Sequence, residues 1–382
     1  MNTDSRIPTT QSPPRREASV RGILSAWRVK RPTFFISSEL NVYVLVLLGL
    51  LITAMILTST LFISAGDVYF DFRAPSAPPA VDENIGGVAN NDGDRPFADG
   101  ASGNILLPWA ENVKIIPADS IYASYAALAD LSTGEIIASR KADEAIYPAS
   151  MTKVMTLIVA VENLPGANSL QDTITVSQEV YDEMRRQGSS GIGMEPGETM
   201  TVESMLYALM LKSDGIAACE LARYVAGSEE DFVELMNQKA EKMGLSNTHF
   251  ENPTGLFHEN HKTTSRDIAS IMTYAMNMSL CRKILKTQSY TAPCTTAEGN
   301  TFSYNLYHNL IVTQFDAISP NQPNEVTIAA GKTGFTNESL YCLVTYAEAA
   351  DGHGYVCVTA KSRSYAECIA DYLTIYNTYA KP

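Results

Sequence analysis

YPASMTKVMT, residues 147–156, is the stretch on which the reading of this chain turns. Pro148 suits the start of a helix, so Ala149–Asn163 is expected to be helical with Ser150 in its first turn. Positions i and i+3 share a helix face, which brings the Ser150 hydroxyl and the Lys153 amine together. The first turn also carries unpaired backbone N–H groups and the positive end of the helix dipole, so it tolerates an oxyanion. A serine becomes a nucleophile when a base lies within reach. For Lys153 to be that base it must be neutral part of the time, which burial and a nearby positive charge bring about.

Two further short motifs follow in order: Ser213-Asp214-Gly215, and Lys332-Thr333-Gly334 after the strand-like run VTIAA. A lysine and a hydroxyl on a strand edge suit a substrate carboxylate, and Gly334 leaves room for an extended substrate to pair with the strand. Each pattern alone is weak. Together, in this order and in these helix and strand contexts, SxxK, a serine-led SDN-type triplet and KTG are the signature of penicillin-binding proteins and class A β-lactamases.

On these motifs the chain resembles the D-alanyl-D-alanine carboxypeptidases, the low-molecular-mass penicillin-binding proteins. Over about residues 120–380 the similarity also takes in EPGETMTVESMLYALML, FVELMNQKAEKMGLSNTHFENPTGL, ENHKTTSRDIA, RKILKTQSYTAP and GKTGFTNESLYCLV. The resemblance implies an α/β (α+β), β-lactamase/transpeptidase-like fold, with a five-stranded antiparallel sheet flanked by helices plus a helical subdomain. It implies that Ser150 attacks the carbonyl between the two terminal D-alanines of a peptidoglycan stem peptide and that Lys153 takes its proton. Ser213 would relay a proton to the leaving D-alanine, and Lys332 and Thr333 would hold the terminal carboxylate. The backbone N–H groups of Ser150 and Phe335 would bind the oxyanion. No cofactor or metal is implied, and β-lactams would acylate the same serine. Gly215 departs from the family, which usually has Asn there. An Asn side chain would hydrogen-bond in the cleft, so its loss predicts an active but slow enzyme, with Gly215 beside the substrate.

The rest of the chain supports an anchored, extracytoplasmic enzyme. The 382 residues carry a net charge of −14, which argues against a nucleic-acid partner. The charge is uneven: residues 1–36 hold seven Lys/Arg against two acids, and 40–66 hold no charge at all. Val42–Ile63 would span ~33 Å as a helix against a hydrocarbon core of ~30 Å. Residues 1–39 therefore read as a cytoplasmic basic tail and 40–66 as a transmembrane signal anchor, with everything beyond on the outer face of a bacterial cell membrane. A cleaved signal peptide is the rival, although the apolar run is long and Ser64-Ala65-Gly66 is a poor cleavage site. Residues 67–117, rich in Pro, Gly, Asn and Asp, read as a disordered linker, and 118–382 as the catalytic domain.

Within that domain, Tyr122–Asp130 and Glu135–Lys141 read as a hairpin, and Val326–Phe335, Tyr341–Ala347 and Tyr355–Lys361 as strands. Val202–Val225, broken near Lys212–Gly215, and Ser228–Met243, Thr264–Met278 and Tyr365–Tyr379 read as helices. Strands, then helices, then strands point to an antiparallel sheet covered by helices.

Two other functions share the motifs. A class A β-lactamase needs a deacylating Glu, and no ExxLN pattern lies between residues 216 and 331. A penicillin-sensing or wall-binding domain would not need Ser150, Lys153, Ser213 and Lys332 together. His258 and His261 have metal-pair spacing but no third ligand, and read as a polar loop. Cys342/Cys357 and Cys281/Cys294 are conceivable disulfides, with buried free thiols favoured.

Overall fold

A computed structural model describes residues 105–166, 168–308 and 326–380. The basic tail, the 40–66 run and residues 67–104 of the expected linker lie outside the described residues. Among the described residues no helix is long and apolar enough to cross a membrane.

In chain order the elements are β1 (Trp109–Ile115), β2 (Tyr125–Asp130), β3 (Glu135–Arg140), β4 (Ala145–Ile146), a 3-10 turn (Ala149–Thr152) and α1 (Lys153–Glu162). Then come β5 (Thr173–Thr175), α2 (Gln178–Arg186), β6 (Thr199–Thr201), α3 (Val202–Leu211), α4 (Gly215–Ala226) and α5 (Glu229–Lys242). The chain continues through β7 (Thr263–Thr264), α6 (Ser265–Asn277), α7 (Ser279–Lys286), β8 (Ser289–Thr295) and β9 (Thr301–Tyr307). It closes with β10 (Val326–Thr336), β11 (Leu340–Ala349), β12 (Gly354–Ser362) and α8 (Tyr365–Tyr379).

The main sheet runs β1-β3-β2-β12-β11-β10. It has six strands rather than the expected five, and it is not wholly antiparallel, since β1 pairs with β3 in parallel. The extra strand comes from the segment read as linker, so the linker's expected end at 117 is also corrected. Residues 105–117 are bound into the domain: Ile105 and Leu106 donate backbone N–H to Met243, and Ile116 to Ser139. Leu107 and Ile116 are buried, but the apolar residues here form a run, Ile105–Ala110 with Pro108 inside it, followed by Val113, Ile115 and Ile116, so no strand alternation marks β1.

Successive side chains of a strand face opposite ways, and the central strands use both faces. Ala127, Ala129, Val344, Val356 and Val358 pack on the side that holds α1, α3, α4 and α6. Ala126, Leu128, Leu343, Tyr355 and Cys357 pack on the other, against Cys368, Tyr372, Ile375 and Tyr376 of α8. Cys342 belongs to the first cluster and Cys357 to the second, so the sheet separates them. All six cysteines are free and buried.

Caps bound the helices where the sequence signals them. Ser228 accepts from Asp231 N at 3.0 Å and Thr264 from Asp267 N at 3.0 Å, while Gly244 takes φ +77° just past α5. A second sheet, β5-β6-β8-β9, lies outside the sequence reading. Its strands β5 and β6 are only three residues long, and β9 has a single buried position, Leu306. Too little apolar alternation remains for a pattern to show.

Candidate active site

The 147–156 stretch does not begin as an α-helix. Ser150 sits in the 3-10 turn, Ala149 takes φ +47°, and the α-helical part starts only at Lys153. A 3-10 turn has about three residues per turn, so i and i+3 lie one above the other. The expected meeting therefore survives the change of helix type: Lys153 Nζ is 3.3 Å from Ser150 Oγ. Lys153 is 2% exposed. Burial, opposed by the negative field of Asp214, lowers its pKa to about 8. Its second partner is the Thr254 carbonyl at 2.6 Å. A neutral amine spends one N–H on that carbonyl and can turn its lone pair to the Ser150 hydroxyl. The arrangement suits proton removal from a nucleophile.

Two glycines allow the chain to close on this turn. A Cβ on Gly334 would lie 2.9 Å from Pro148 O and 3.1 Å from Ser150 N, so β10 can press its edge against Ser150 only with glycine there. Gly255, at φ +78°, is tighter still: a Cβ would meet Ala149 O at 1.9 Å.

Lys332, on β10, is 2% exposed and donates to Ser213 Oγ at 2.9 Å and to the Thr333 carbonyl at 2.9 Å. Burial, and secondly the charge of Lys153, push its pKa well below the ordinary lysine value. Ser213 takes φ +57°, an uncommon conformation for a non-glycine residue, held between α3 and α4. Thr333 is half-buried. Phe335 is 45% exposed beside the turn and packs on Tyr341, ring centroids 4.6 Å apart.

Gly215 is buried at the start of α4, its N–H bonded to Ser190 O at 2.9 Å. An added Cβ would lie 2.0 Å from Ser189 Oγ and 2.9 Å from Met184 Sδ. The side-chain direction there points into the 189–190 loop, so a side chain at 215 would meet that loop first. Asp214 beside it is fully buried, capping α4 at Ala217 N (2.9 Å) and holding the same loop at Ile192 N (2.7 Å). Burial raises its pKa.

The sequence reading missed the 250–261 loop as part of the site. Asn252 organises it, its Oδ1 accepting from Thr254 N, Thr254 Oγ1 and Gly255 N. The Asn-Pro-Thr-Gly run was a readable turn signal, but nothing in it announces a lysine ligand. The pair His258 and His261 does not converge. His258 is exposed beside Glu251, whereas His261 is buried with both ring nitrogens engaged. Among the described residues no group of three or more His, Cys, Asp or Glu is placed to hold a metal ion.

A serine–lysine pair at the edge of a mixed sheet, faced by a second serine–lysine pair, is the arrangement of an acyl-serine transferase or hydrolase. Residues 112–359 match the D-alanyl-D-alanine carboxypeptidase family, and the chain belongs to it. It is 33% identical over 227 residues to D-alanyl-D-alanine carboxypeptidase DacF of Bacillus subtilis (strain 168), covering 59% of this chain and 54% of that protein. It is 30% identical over 220 residues to a D-alanyl-D-alanine carboxypeptidase of Streptomyces sp. (strain K15), covering 56% and 72%. The chain spans about half the length of the Bacillus relative. Among solved structures, a point mutant of the Streptomyces K15 DD-transpeptidase superposes with a TM-score of 0.62 at 27% identity, over 69% of this chain and 98% of that one.

Proposed function

We propose that this protein is a membrane-anchored serine D-alanyl-D-alanine carboxypeptidase that trims stem pentapeptides of peptidoglycan and binds penicillin. The observation that carries the reading is the Ser150–Lys153 pair at 3.3 Å, with the amine buried and its pKa lowered to about 8. In this scheme Ser150 Oγ bonds to the carbonyl carbon of the penultimate D-alanine as Lys153 takes its proton. The Ser150 and Phe335 N–H groups receive the oxyanion. The bond to the terminal D-alanine breaks, and its nitrogen gains a proton through Ser213. Water then cleaves the ester, restoring the Ser150 hydroxyl. Lys332 and Thr333 hold the terminal carboxylate, and a β-lactam enters by the same first step.

Incubating the protein with a pentapeptide ending in D-Ala-D-Ala tests this: free D-alanine should appear with a tetrapeptide. The structural neighbour's DD-transpeptidase activity raises a second acceptor, an amine in place of water. Adding a D-amino acid to the assay distinguishes them, since transfer yields an exchanged pentapeptide.

The anchor belongs to the same proposal. Its support is the basic 1–36 segment followed by the uncharged 40–66 run. Protease added to intact cells should cut within about 67–104, release the catalytic domain and leave the basic tail protected; a mature N-terminus near Gly66 would show cleavage instead.

A further inference from the structure

We propose that His261 is a positioning residue for acylation of Ser150, holding the turn between nucleophile and base through the Thr152 hydroxyl. The inference rests on the reading of Ser150 as nucleophile and Lys153 as base.

Thr152 lies between those two residues in the chain and is fully buried. Its Oγ1 is 2.9 Å from His261 Nε2. The direction of that bond follows from the other side of the ring. Glu251 N–H points at His261 Nδ1, 3.3 Å away. A backbone N–H only donates, so Nδ1 carries no proton and Nε2 carries the one there is. Nε2–H therefore donates to Thr152, and the backbone fixes the tautomer.

The ring is itself held. His261 is 2% exposed, its N–H bonds to His258 O at 3.0 Å, and the edge of its ring system meets Phe250 at a centroid distance of 5.6 Å. Burial first, then the charges of His249, His258 and Lys153, lower its pKa to about 3. The ring is thus neutral wherever Lys153 titrates. With both nitrogens committed to the scaffold it has no site left for the Ser150 proton, which separates a positioning role from a basic one.

The contact is one of several by which the same loop grips the 147–156 stretch. Gly255 packs on Ala149 and Ser150, the Thr254 carbonyl takes Lys153, and the Pro253 carbonyl takes Thr156 Oγ1 at 2.7 Å. Of these, the His261–Thr152 bond is the only one made between two side chains, so it can be removed without touching the backbone.

The experiment measures penicillin acylation and pentapeptide turnover of the full chain as wild type, Thr152→Val, Thr152→Ser, His261→Phe and the Thr152→Val/His261→Phe double variant, with thermal unfolding alongside. Positioning by this bond predicts that Thr152→Val and His261→Phe each slow acylation and kcat by ~10- to 100-fold. KM should stay within about twofold, because no substrate contact is lost. The double variant should be no slower than the slower single, and Thr152→Ser should recover most of the rate. The acid limb of the pH–rate profile should remain in His261→Phe. Should His261→Phe fail to fold, Thr152→Val decides, since it changes one hydroxyl to a methyl. Wild-type acylation rates in the folded variants, losses that multiply in the double variant, or an acid limb that vanishes with His261 would each overturn the proposal. A wild-type chain that takes no penicillin label would overturn the nucleophile reading and this proposal with it.

Discussion

Two buried lysines share this site, one at the start of α1 and one on β10, and each donates to a serine hydroxyl: Lys153 to Ser150 and Lys332 to Ser213. Their surroundings differ. Lys153 has the Thr254 carbonyl at 2.6 Å, and the field of the buried Asp214 offsets part of its burial and leaves its pKa at about 8. Lys332 has two neutral partners, and its burial and the repulsion of Lys153 push its pKa well below the ordinary lysine value. A buried amine with its own counter-charge is adjusted to exchange a proton near neutrality. One whose charge no neighbouring carboxylate balances is suited to gain that balance from a ligand. The proposed reading assigns the first to chemistry and the second to the carboxylate of the substrate.

The largest effect should come from the first pair. Ser150→Ala should abolish covalent penicillin labelling, and Lys153→Ala should slow it by about 10²- to 10⁴-fold, both with the fold intact by circular dichroism. A Ser150→Ala protein that still labels would break the comparison at its root.

The second pair should matter less, and selectively. Lys332→Ala should lower kcat/KM on a pentapeptide ending in D-Ala-D-Ala by ~10- to 150-fold, the equivalent of about 1.5–3 kcal/mol for a charge-assisted hydrogen bond. On the same peptide with a C-terminal amide, wild type and variant should be nearly equal, because the carboxylate partner is gone. An equal loss on both peptides would mean that Lys332 serves Ser213 and not the ligand.

Asp214→Asn sharpens the contrast more finely. Asn also caps helices well, so α4 should persist. Removing the carboxylate removes the influence that raises the Lys153 pKa, which should fall. The rate follows the neutral amine, so wild-type acylation should drop about tenfold per pH unit below about 8. The limb should shift to lower pH in the variant, with a few-fold gain near pH 7. A limb that stays in place, measured from pH 5 to 9, would remove Asp214 from the tuning of Lys153.

The two serine–lysine pairs of this site were legible in the sequence because each member sits in a short motif, and Ser150 and Lys153, three positions apart, have a spacing that already implies contact. The sheet's central strands were legible for a similar reason, being continuous apolar runs. What lay hidden depends on contacts distant in sequence. Thr254 reaches Lys153 across 101 positions, and through a backbone carbonyl, which any residue type would supply. Strand β1 is recognisable only by its partner β3. Gly215 shows the opposite case, a residue read from its motif whose packing partners, Ser189 and Met184, the motif does not announce.

Gly215→Asn is the smallest and most discriminating of the changes. A motif-based expectation has the Asn side chain entering the cleft, restoring a hydrogen bond and raising the rate. The structure points the other way, since the Cβ alone would stand 2.0 Å from Ser189 Oγ and 2.9 Å from Met184 Sδ. Room for it requires the 189–190 loop to move, and that loop is tied down by Gly215 N–H to Ser190 O and by Asp214 to Ile192 N. Forcing a side chain into such packing costs about 1–3 kcal/mol, which is roughly 2–10 °C of melting temperature for a domain of this size. Ser213 precedes Gly215 by two residues and is already held at positive φ, so displacement should also loosen its bond to Lys332. The expected result is a lower melting temperature and a penicillin acylation rate reduced by less than about tenfold. Adding Ser189→Gly should recover part of both, because it removes the first obstruction. A faster Gly215→Asn enzyme with unchanged melting would restore the cleft-facing reading of this position.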